Sequence, residues 1–81
     1  MQDIAYLVSK EMPNGWTRGI VVGWGIAEQY GLGILDLIRE CEAAVRERIA
    51  EFNERGIPLP RSYRPDDLLK HGYKITALPV A

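Results

Sequence analysis

Cysteine occurs once in this 81-residue chain, as Cys41, and histidine once, as His71. A single cysteine excludes an intrachain disulfide and any cysteine-based zinc site. A single histidine argues against a metal centre built from this chain alone. No apolar run approaches the roughly 20 residues that a membrane span requires. No charged segment followed by an apolar core opens the sequence, so no secretory signal is expected. A basic excess is lacking too: ten Lys+Arg stand against eleven Asp+Glu, a net charge of -1. Nucleic-acid domains usually carry such an excess, because neutralising phosphate drives their binding. Arg55, Arg61 and Arg64 cluster locally and are read as a solvated loop. Neither a membrane nor nucleic acid is expected as a partner, and the cytoplasm is the expected location.

What is present is an ordinary globular composition, 47% hydrophobic and 26% charged. Residues 1–81 suffice for one small domain. A fold of this size buries only about 60–70% of the surface its unfolded chain exposes. Modest stability follows, unless a partner or a second copy adds burial.

Strand signals open the chain. In residues 3–9, "DIAYLVS", Ile4, Tyr6 and Val8 alternate with Ala5, Leu7 and Ser9. Pro13-Asn14-Gly15 is a turn signal, which predicts a hairpin to a second strand over 16–24. Gly19 and Gly23 inside that strand suggest a bulge or a close backbone approach. A short third strand is predicted over 26–30. From Ile34 the period changes to steps of three and four: Ile34, Ile38, Cys41, Val45, Ile49 and Phe52. Leu35, Leu37 and Ala44 widen this apolar stripe of an amphipathic helix. Gly33 fits its N-cap and Gly56 its end, and Pro58 and Pro60 prevent resumption. Residues 65–71 read as a short helix with Pro65 first, Asp66 and Asp67 at the positive end, and Lys70 and His71 at the negative end. A last strand over 73–80 carries Pro79, so it lies at a sheet edge or ends there. The expected fold class is α+β: a three- to four-stranded, mainly antiparallel sheet in the order β-β-β-α-β, packed on one long helix.

Chemistry is harder to place. Residues 21–33, "VVGWGIAEQYGLG", resemble a phosphate loop in glycine content. A dinucleotide loop needs G-x-G-x-x-G, for the turn, for approach to pyrophosphate and for helix packing. Here Glu28 and Asp36 occupy the third-glycine positions, where a carboxylate repels phosphate. Gly33 is followed by Ile34 and Leu35 rather than the Lys-Ser/Thr of a P-loop. The glycines therefore fit better as devices of shape. Asp66 and Asp67 are adjacent, so they project in different directions and read as helix-end electrostatics. His71 has no evident catalytic partner, and Cys41 lies on the apolar stripe as a small hydrophobe. No catalytic, cofactor or metal residues are expected. Trp16, Trp24 and Tyr30 are the candidate partner-binding residues, since such aromatics are enriched where proteins meet. Trp24 is read first as core filling and second as interface.

From Trp24 to Pro60, "WGIAEQYGLGILDLIRECEAAVRERIAEFNERGIPLP", the chain resembles the HicB-like antitoxin family. Gly31 matches the glycine before the family's helix, Leu35 to Val45 its amphipathic helix, and Gly56-Ile57-Pro58-Leu59-Pro60 its post-helix segment. The usual "P-x-L-P-G-C" ahead of the third strand is replaced by "VGWGIA", Gly33 replaces the usual Thr or Ser cap, and the short helix over 65–71 is extra. The resemblance implies a reduced RNase H-like fold without nuclease carboxylates. It also implies homo-oligomers, and binding of a small HicA-type RNA-cleaving toxin so as to block it. The family's C-terminal DNA-binding domain finds no room before Ala81, so operator binding is not carried over. The expected function is thus a non-enzymatic protein-binding domain. The alternative is a stand-alone oligomeric small-ligand-binding or regulatory protein of the same fold.

Overall fold

A computed structural model describes residues 3–61 and 63–80. β1 (Asp3–Glu11) turns through Pro13-Asn14-Gly15 into β2 (Thr17–Val21), and the two pair antiparallel with Leu7 opposite Val21 and Glu11 opposite Thr17. The turn is closed by the Met12 N–H donating to the Trp16 carbonyl at 2.7 Å and the Gly15 N–H donating to the Met12 carbonyl at 3.1 Å. β3 (Gln29–Gly31), α1 (Ile34–Arg55), a 3-10 helix (Asp66–His71) and β4 (Lys74–Val80) follow. The sheet runs β3-β2-β1-β4 and every pairing is antiparallel. The fold is therefore α+β in the expected β-β-β-α-β order.

Helix α1 covers one face of the sheet. Its Leu37, Cys41 and Val45 meet Ala5 and Leu7 of β1, Val21 of β2 and Leu78 of β4 in the core, with Ile34, Ile38, Ile49 and Phe52 packed around them. Period two on the strands and 3.6 on the helix thus converge on one apolar layer. α1 ends at Gly56, after which the Ile57 N–H donates to the Phe52 carbonyl at 2.8 Å, a Schellman closure. Leu59 then packs back on the core and fixes the exit of the chain.

Several boundaries differ from the sequence reading: β1 runs on to Glu11 instead of ending at residue 9, and β4 starts at Lys74 instead of residue 73. β2 stops at Val21 instead of Trp24, and β3 covers 29–31 instead of 26–30. The cause is Gly23 (φ 79°) and Gly25 (φ 66°), whose left-handed backbone carries the chain out of the sheet. Leu35 is exposed, not part of the buried stripe, because Leu37 takes the position facing the sheet. The short helix is a 3-10 helix and Pro65 precedes it.

Candidate partner-binding surface

Strand pairing gathers aromatic side chains that are distant in sequence. Thr17 lies opposite Gly31, and Arg18 opposite Tyr30. Trp16, just before β2, therefore comes close to Tyr30 and to Leu32, just after β3. Trp16 and Tyr30 are 40% and 48% exposed, and both line a surface recess of about 410 Å³ with Leu32, Asp36, Arg39 and Glu40. The floor lies where α1 begins. There Gly31 allows a close approach: a Cβ at this position would sit 2.5 Å from the Leu37 nitrogen.

Tyr30 is held by a short network. Its hydroxyl donates to Glu28 Oε1 at 2.7 Å, and the same oxygen pairs with Arg18 Nε at 3.4 Å. The hydrogen bond to the Glu28 carboxylate raises the Tyr30 hydroxyl above its ordinary range, and the Glu28 charge adds to this, while Arg18 opposes it. Trp16 is fixed through its backbone, whose N–H donates to Asn14 Oδ1 at 3.1 Å.

Trp24 is placed differently. It is 2% exposed and belongs to the core, tilted against Phe52 at a centroid distance of 6.3 Å. It is therefore withdrawn from any partner face, and the exposed aromatic pair is Trp16 with Tyr30. Arg48 holds the Trp24 turn to the helix. Its Nε donates to the Trp24 carbonyl at 3.1 Å, its Nη1 pairs with Glu51 at 2.8 Å, and its guanidinium lies 5.2 Å from the Phe52 ring. The sequence reading missed this role, although the signal was there: Arg48 lies seven residues after Cys41, three after Val45 and four before Phe52, a charge set inside the apolar stripe.

The remaining reactive groups are dispersed. Cys41 is buried, and burial, helped by the Glu40 charge, pushes its thiol up from 9.0 to about 11, so it stays protonated near neutrality. His71 is exposed, and its carbonyl accepts a hydrogen bond from Lys10 Nζ at 3.5 Å. Asp66 pairs with Arg64 at 2.7 Å. Among the described residues no three His, Cys, Asp or Glu side chains gather as a metal site. No described helix is long and apolar enough to cross a membrane. Comparison with family models, curated proteins and solved structures gave no match.

Proposed function

We propose that this chain is a non-enzymatic protein-binding domain of the HicB-antitoxin type, which docks on a small RNA-cleaving toxin and blocks it. One observation carries the reading: Trp16 and Tyr30, far apart in sequence, converge with Leu32 and Arg39 on one exposed recess. Tryptophan, tyrosine and arginine are the residue types that dominate binding energy at protein interfaces. The element order and the Gly56–Pro60 segment support the same family reading.

The test is co-purification with the product of the adjacent reading frame, followed by calorimetry of Trp16→Ala and Tyr30→Ala. Each variant is expected to weaken binding at least tenfold, about 1.4 kcal/mol, and to restore RNA cleavage by the partner. Absence of a small RNA-cleaving neighbour, or binding unchanged in both variants, rules the reading out.

A second reading, an oligomeric small-ligand-binding protein, is favoured by the sheet's outer face. Val8, Ile20, Val22, Leu68 and Tyr73 line a recess there of about 280 Å³ on the side away from α1. Ile20 is exposed within it.

A further inference from the structure

The inner face of the sheet changes character at one end. On β1 the inner positions run Ala5 and Leu7, then Ser9 and Glu11; on β4, Leu78, then Thr76 and Lys74; on β2, Val21 and Gly19, then Thr17. The register sets Ser9 beside Lys74 and Glu11 beside Thr17, so these four side chains share one face. They line a recess of about 240 Å³ that reaches Ile34, the first residue of α1. Three neighbouring strands thus turn polar together where the helix begins.

Two of these polar groups are not surface groups. Ser9 is 1% exposed and its Oγ has no hydrogen-bond partner among the described residues, while Thr17 is 4% exposed. A buried hydroxyl without a partner is rare in native folds and points to a missing one. Lys74 stands exposed on the same face as Ser9. Lys10 borders the recess too, but its ammonium is turned away, 4.9 Å from the Tyr73 ring. Helix α1 starts after Gly33 with no side-chain cap among the described residues, so its positive end meets no capping oxygen from them. Asp36, in the first turn, lines the Trp16 recess instead.

We propose that this recess binds a carboxylate group. Ser9 Oγ–H and the Thr17 hydroxyl donate to it, the Lys74 ammonium balances its charge, and the positive end of α1 adds to the attraction. Glu11, exposed on the same face, offsets the Lys74 charge, so the charged side chains give a dianion little gain over a monoanion, while a dianion costs more to take out of water. The site therefore favours a carboxylate over a phosphate. The carboxylate comes either from a free small acid or from the C-terminus of a peptide. This inference does not rest on the toxin reading.

Backbone amide shifts, followed by NMR at constant ionic strength, test it. Acetate and a short peptide with a free C-terminus are the ligands; the amidated peptide and inorganic phosphate are the contrasts. A carboxylate is expected to give saturable shifts at Ser9, Thr17, Ile34 and Lys74, at least tenfold weaker in Ser9→Ala and in Lys74→Gln. Saturation by acetate assigns a small acid, and saturation by the peptide alone assigns a C-terminus. Trp16→Ala is expected to leave these shifts unchanged, which separates this site from toxin docking. No saturable shift with either carboxylate overturns the proposal. So does phosphate or the amidated peptide binding as tightly, or unchanged binding in both Ser9→Ala and Lys74→Gln. Lys74 is exposed, so its variant reports even where Ser9→Ala alters the packing.

Discussion

Among the described residues Trp24 is the largest fully buried side chain, yet its Nε1–H finds no acceptor among them. An unsatisfied buried donor costs about 1–3 kcal/mol, and the ring's packing outweighs it. Trp24→Ala is expected to lower the free energy of unfolding by about 3–5 kcal/mol, measured by urea denaturation. A loss below about 1 kcal/mol would mean the ring contributes little. Cys41 gives the fold an alkaline dependence. Its thiol holds the proton more tightly folded than unfolded, since burial lifts it from 9.0 to about 11. The stabilisation is full below the unfolded value and is lost as pH rises through the folded one. Urea midpoints of the wild type should therefore fall between about pH 9 and 11, and Cys41→Ala should flatten that fall. Parallel curves would assign the decline to other groups.

At the scale of elements, α1 was legible because its signals agree: a stripe at steps of three and four, Gly33 before it, Gly56 after it. The limits of β2 and β3 were not legible. Glycine in a strand can mean a bulge or an exit from the sheet, and composition does not choose between them. Leu35 failed for a related reason: two leucines flank Asp36, and only the docking angle of α1 decides which one faces the sheet. That docking depends on Gly31, where a Cβ would meet backbone atoms of Asp36 and Leu37. Backbone cannot step aside as a flexible side chain can. Gly31→Ala is expected to destabilise by about 1–3 kcal/mol or more, and to shift amide resonances along β3 and the first turn of α1. An unperturbed spectrum at wild-type stability would refute the tight contact.

At the scale of the molecule, the sheet is clothed unevenly. α1 covers the inner face, while Ile20 and its neighbours on the outer face stay partly open. A second copy seated there would supply the burial that a chain of this length lacks. Ile20→Lys is expected to reduce the solution mass to that of one chain by light scattering, with the fold kept by circular dichroism. A wild type that is already monomeric at high concentration removes the premise. The candidate sites were only partly legible for the same global reason. Trp16 and Tyr30 could be chosen as aromatics, but their meeting required the β2–β3 register. Ser9 reads in sequence as one more alternating strand position; only the third dimension sets it beside Lys74 and under the start of α1.

The pairing of Asp3 with Val80 has a consequence for how the chain is made. β1 is an inner strand of the sheet, but one of its two neighbours is the last strand in chain order. While the chain grows on a ribosome, the hairpin and α1 can assemble early. One edge of β1 nevertheless stays open until residue 80 has been added. During that interval an unpaired strand edge is available to any other extended segment. Loop closure between β1 and β4 then sets the pace of the final step, so folding should be slower than in a helical bundle built from local contacts.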